Sequence, residues 1–167
     1  MINDGTPLES VSALNESNYT PSNSTALLDA VGKTINKIGD RLANTPENEK
    51  PEKVIFAVIT DGFENASREF KQKQIFDMVT HQKTKYSWEF LFLGADIDSW
   101  GKEIGIHSNV NVSKDDMFSN MSKLSYYTSN YRVGSANFST ANFSLSDDEV
   151  KKEMEKLFKE SGKEDKK

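Results

Sequence analysis

Val54-Ile-Phe-Ala-Val-Ile-Thr-Asp-Gly62 is the stretch that decides the fold. Six apolar residues in a row, mostly branched or aromatic, lie between Lys53 and Thr60. A run this short and this apolar predicts a strand buried on both faces, the pattern of a parallel sheet covered by helices. Thr60-Asp61-Gly62 then ends it with a carboxylate and a residue that lets the backbone turn sharply.

Outward from that strand, helical and extended patterns alternate. Upstream, Leu27, Leu28, Val31, Ile35, Ile38 and Leu42 recur at three- and four-residue steps, which predicts a helix over Thr25–Ala43 with Ser24 or Thr25 as its N-cap. Asn44-Thr-Pro-Glu-Asn-Glu-Lys-Pro51 is a turn-rich loop. Downstream, a helix is expected from Ser67 to Lys85, with Phe70, Ile75, Met78, Val79 and Gln82 near one face. Trp88-Glu-Phe-Leu-Phe-Leu93 reads as a second buried strand. A short helix near 99–104, a weak strand at 110–112 and a helix over 115–131 complete the series, the last with Met117, Met121, Leu124 and Tyr127 or Tyr131 as its stripe. The order implies an α/β fold, a parallel sheet with right-handed crossovers and helices flanking it.

Composition narrows the function classes. The chain has 167 residues, 35% of them hydrophobic, and a net charge of −5. That charge argues against a general binder of phosphate backbones, so no nucleic-acid partner is expected. No cysteine is present, which excludes a disulfide framework, a Cys-zinc site and a thiol nucleophile, and fits the cytoplasm. No apolar run approaches a membrane span, and the first residues lack a signal-peptide pattern. From Arg132 onward the character changes. Ser135-Ala-Asn-Phe-Ser139 is nearly repeated as Thr140-Ala-Asn-Phe-Ser144, and the last residues are densely charged around Val150, Met154, Leu157 and Phe158. The expected division is therefore a domain over 1–131 and a polar tail over 132–167, partly disordered or a single helix.

The chemistry-bearing candidates cluster at strand ends. Ligands on open α/β sheets bind beyond the carboxyl ends of strands, where Asp61 falls. A carboxylate there suits a hard cation or its water, or it only shapes the turn. Ser22-Asn-Ser-Thr25 supplies a hydroxyl at a helix start, which either caps the helix or ligates a metal, and Asp29 lies one turn in. Asp96 and Asp98 follow the second strand; they read first as a solvated turn, and otherwise as an acidic cluster with Asp61. His81 and His107 lack zinc-ligand partners at useful spacing and read as surface residues. No Gly-x-Gly-x-x-Gly, phosphate loop or nucleophile elbow is present. Tyr126, Tyr127 and Tyr131 fit a packed face better than a stacking surface.

Asn23-Ser-Thr25-Ala-Leu-Leu-Asp-Ala-Val-Gly32, Val54 to Gly62 with Glu64-Asn65, and Trp88 to Ala95 together resemble a von Willebrand factor A domain, similar to the small cytoplasmic versions of bacteria and their phages. The resemblance covers roughly 1–131 and implies a partial Rossmann-like parallel sheet and a protein-interaction role without enzymatic activity. That family holds Mg²⁺ on three loops carrying Asp-x-Ser-x-Ser, a Thr and an Asp. The resemblance makes Thr25 the second-loop ligand and Asp61 the third-loop ligand. No Asp-x-Ser-x-Ser occurs in the 167 residues. Expected from this are an incomplete site that holds Mg²⁺ weakly on its own, a domain lacking its N-terminal part, and a bare edge on strand 54–59. That edge, with the Phe138 and Phe143 segment, would meet a protein partner or a second copy of the chain. The rival readings are a Mg²⁺-dependent phosphohydrolase-like enzyme using Asp61 with Asp96 or Asp98, and a degenerate fragment.

Overall fold

In the computed structural model, residues 4–13, 15–20, 24–94, 98–107, 109–111, 117–132, 146, 148–152 and 155 are described. Three strands, β1 (Ile55–Thr60), β2 (Glu89–Gly94) and β3 (Asn109–Asn111), form one sheet in the order β1-β2-β3. Both pairings are parallel, with Ala57 opposite Leu91 and Leu93 opposite Val110. Helix α1 (Leu27–Ala43) precedes β1, α2 (Gln72–Tyr86) joins β1 to β2, α3 (Asp98–Glu103) joins β2 to β3, and α4 (Met117–Arg132) follows. The chain is an α/β fold with a small parallel sheet flanked by helices, as its pattern predicts.

The pleat sorts the side chains into two cores. Phe56, Val58, Phe90 and Phe92 point to one face, where Leu27, Leu28, Val31 and Ile35 of α1, Ile75 and Val79 of α2, and Ile104 and Ile106 after α3 cover them. Leu91 and Leu93 point to the other face, against Tyr127 and Tyr131 of α4. The tyrosines are thus core, as their helical spacing suggests. Central position explains why β2 is buried almost end to end, with Leu91 and Leu93 at 0% exposure and Phe92 at 1%. Each such side chain contributes about 1.5–3 kcal/mol by leaving water.

Strand β1 departs from expectation. It is buried on one face only: Phe56 and Val58 are covered, whereas Ala57 is exposed and Ile59 is 44% exposed. An unbroken apolar run is compatible with burial on either one face or two, and the described part of α4 packs chiefly on β2. Only Ile55, at the start of β1, reaches that second core.

Local signals place the helices. Gly32 in α1 permits close approach of Phe70, whose ring lies 2.6 Å from where a Cβ would stand. Gln74 accepts the Lys71 N–H at 2.7 Å and so closes the start of α2. Ser87, at φ 54°, takes the left-handed position that ends it. Asp4 docks the leading segment onto α1 through Lys37 and Arg41. Beyond α4, Ser146 and Glu149 cap one another, opening a helical stretch at 148–152 whose Val150 is buried. Ser146-Asp-Asp-Glu149 is a capping-box signature that a composition-led reading of the tail passes over. Phe138 and Phe143 lie outside the described residues.

Candidate functional site

The carboxyl end of β1 and the amino end of α1 meet at one crest. The chain leaves β1 at Thr60, whose hydroxyl accepts the Gly62 N–H at 3.2 Å and tightens the turn. A Cβ on Gly62 would stand 2.7 Å from the Thr25 hydroxyl oxygen, so glycine at 62 is what lets Thr25 sit against the turn next to Asp61. The loop is tied to Thr25 in both directions. Asn65 Oδ1 accepts the Thr25 N–H at 2.9 Å, and the Asn65 N–H donates to the Thr25 carbonyl at 3.0 Å. Thr25 and the Asp61-Gly62 turn, predicted as neighbours, therefore lie together at the same end of the sheet.

The expected cap is replaced by a cap from a distant loop. Ala26, not Ser24 or Thr25, is the N-cap of α1, and its side chain has no hydroxyl to give. Instead the Leu28 N–H donates to Glu64 at 2.9 Å and the Asp29 N–H donates to Ser67 Oγ at 3.0 Å. Glu64 also accepts the N–H groups of Ala66 at 3.0 Å and Ser67 at 2.7 Å, and the Ser67 hydroxyl at 2.8 Å. Burial works against its charge, yet the Leu28 and Ser67 hydrogen bonds outweigh burial and hold its carboxyl below the usual range.

Asp29 makes the reciprocal contact. Its carboxylate does not serve its own helix end, as its position suggested, but accepts the N–H groups of Arg68, Glu69 and Phe70 at 2.9, 3.0 and 2.9 Å. The bond from Arg68 leads in lowering its carboxyl pKa. With these three donors turned toward Asp29, the chain cannot begin α2 at Ser67, and the helix starts at Gln72. Glu64 and Asn65, which the sequence pattern leaves in a loop, and Ser67, which it places at a helix start, are the crest residues whose roles sequence reasoning missed. The signal available was a carboxylate, an amide and a hydroxyl within four residues after a strand, facing a helix start without a strong cap.

This frame spends Glu64, Ser67, Asn65 and Asp29 on backbone donors and leaves two oxygen groups over. Among the described residues, neither the Thr25 hydroxyl nor the Asp61 carboxylate has a hydrogen-bond partner. Asp61 is exposed and Thr25 half-buried. No group of three or more His, Asp or Glu side chains able to hold a metal occurs among the described residues. Asp96 and the side chain of Asp98 lie outside them. His81 and His107 are exposed, as expected. A cleft of about 600 Å³ lies at the far end of the molecule, between Leu42, Val54, Tyr86 and Trp88, and shares no residue with the crest. Among the described residues, no helix is long and apolar enough to cross a membrane. No family model, no curated protein and no solved structure matches the chain.

Proposed function

We propose that this chain is a non-enzymatic protein-interaction module of the von Willebrand factor A type, working in a reducing compartment such as the cytoplasm, with an incomplete metal-ion-dependent adhesion site. The observation that carries the reading is the uncovered surface of β1, Ala57 and Ile59, ending at a crest where Thr25 and Asp61 are left unspent. An apolar strand edge supplies backbone hydrogen bonds and apolar contact to an extended partner segment, and the crest supplies polar contact at its end. Among the described residues of the crest, Glu64, Ser67, Asn65 and Asp29 are engaged with backbone donors, and none forms a nucleophile–base pair.

Mg²⁺ prefers six oxygen ligands at near-octahedral positions. Thr25 and Asp61 supply two, so this donor set alone holds the ion weakly, and water or a partner's carboxylate would fill the remaining positions. The test is a titration of a labelled, strand-forming peptide ending in glutamate, with and without Mg²⁺. Saturable binding that weakens in Ile59→Lys, with a further Mg²⁺-dependent gain lost in Asp61→Asn, is the expected result. Hydrolysis of a phosphate ester that disappears in Asp61→Ala would overturn the non-enzymatic reading in favour of the phosphohydrolase alternative.

A further inference from the structure

The backbone of β1 has a fixed polarity. The Glu89 N–H donates to the Val54 carbonyl at 2.9 Å, and Ile55 is paired with Glu89 in a parallel ladder. In such a ladder alternate residues of a strand direct both their N–H and C=O groups to the same neighbour. Val54, Phe56, Val58 and Thr60 therefore bond toward β2, and Ile55, Ala57 and Ile59 direct three N–H and three C=O groups to the opposite side. β1 has β2 as its sole strand partner among the described residues, and among them no strand pairs with that outward row. The same odd-numbered residues share one face of the sheet, where Ala57 and Ile59 are uncovered and Ile55 reaches the second core. β1 itself carries none of the features that blunt an edge: it has no charge, no proline and no bulge.

We propose that the occupant of this edge is a second copy of the chain, its β1 paired antiparallel across a two-fold axis through Ala57. This rests on reading β1 as the contact surface. Only odd residues offer outward groups, so odd must face odd. Centring on Ala57 matches all three: Ala57 faces its own copy, and Ile55 faces Ile59 at both ends. Each of these is a hydrogen-bonded pair, and the apolar side chains share one face. A shift of one step in either direction leaves an outward residue unmatched. The same register brings Lys53, just before β1, to the end of the second copy's β1 where Asp61 begins the turn, twice over. Asp61 has no partner of its own among the described residues. Lys53 holds the Tyr131 carbonyl at 2.6 Å and keeps further donors. Charge complementarity thus selects the register that hydrogen bonding also favours. The result is a continuous six-stranded sheet whose two crests lie at opposite ends of the joined strands.

The chain has no cysteine, which makes a clean test available. A hydrogen-bonded antiparallel pair sets its Cα atoms about 5.5 Å apart, inside the roughly 4.4–6.8 Å span of a disulfide. Mild oxidation should cross-link Ala57→Cys with itself, while Asp77→Cys on the outer side of α2 should not cross-link. Sedimentation of the full chain across a concentration series should show a reversible dimer. Ile59→Lys should raise its dissociation constant by about tenfold or more, since two apolar cross-strand pairs are lost. A cooperative melt of Ile59→Lys, whose side chain is already 44% exposed, separates this from misfolding. A monomer at every concentration, with Ala57→Cys no faster to cross-link than Asp77→Cys, overturns the second copy as occupant. If that monomer still binds the strand-forming peptide, the interaction reading stands alone. If it binds neither, both fall.

Discussion

Glu64→Gln is the substitution that isolates the frame holding the crest together. The two side chains have the same shape, but the carboxylate accepts on both oxygens and the amide on one. Oε1 takes the Ala66 and Ser67 N–H groups, and Oε2 takes the Leu28 N–H and the Ser67 hydroxyl. The Ser67 hydroxyl can rotate and accept from the new amide. The backbone N–H groups cannot, so at least one of them faces a donor. Losing one hydrogen bond to a charged acceptor and weakening the others costs about 2–3 kcal/mol in this half-buried setting. For a chain of this size that lowers the melting temperature by about 5–10 °C. The pH dependence is a second readout. The folded-state pKa of Glu64 lies below its unfolded value near 4.5, so its contribution is complete above that pH. It is lost as pH falls through the folded pKa. Urea unfolding at pH 7 and again near pH 3.5 should therefore find the gap between wild type and Glu64→Gln wide at the first and narrow at the second. A gap under about 0.5 kcal/mol at pH 7, or one that does not change with pH, would refute the claim that this carboxylate caps α1.

Two glycines of α1 should respond with opposite signs. Gly39→Ala has open space around the new Cβ and should stabilise by about 0.5–1 kcal/mol, whereas Gly32→Ala meets the Phe70 ring at 2.6 Å and should destabilise by about 1–3 kcal/mol, both by urea unfolding. Ser87→Gly relieves a left-handed backbone at φ 54° and should stabilise by about 1 kcal/mol in the same assay. Asp29→Asn should lower stability at neutral pH and flatten the acid limb of the pH–stability curve. Its carboxyl pKa is lowered by the Arg68, Phe70 and Glu69 N–H groups, so its contribution is present above the unfolded pKa and fades on acidification.

Legibility followed the range of the forces involved. The helical stripe of α1 and the apolar run of β2 were readable because burial on a regular element leaves a periodic trace. Thr25 beside Asp61 and Gly62 was legible only through a resemblance, since nothing local ties residue 25 to residue 62. The cap of α1 was not legible: its donors are satisfied by Glu64 and Ser67, 36 and 38 residues away along the chain. The start of α2 departs from the sequence pattern for the same reason, because Asp29 removes the N–H groups of residues 68–70 from the helix. Such bonds join residue types that are ordinary in any loop, so composition carries no trace of them.

The one-sided burial of β1 has the largest consequence. Val54–Ile59 looks doubly buried because each of its residues is apolar, yet Ala57 and Ile59 reach solvent. Apolar residues on the exposed face of a sheet confer no folding advantage to a lone chain, since their transfer free energy is gained only when something covers them. An uncovered face alone is a common surface feature. An uncovered face that shares residues with a row of backbone donors and acceptors unpaired among the described residues is a different matter, because one added strand satisfies both at once. Ile55, Ala57 and Ile59 carry the open hydrogen bonds, and Ala57 and Ile59 carry the exposed apolar surface. A partner that covered the face without pairing the edge, such as a helix laid across it, would leave six backbone groups of β1 to water. Strand addition leaves none, and on that ground it outranks other modes of contact at this surface.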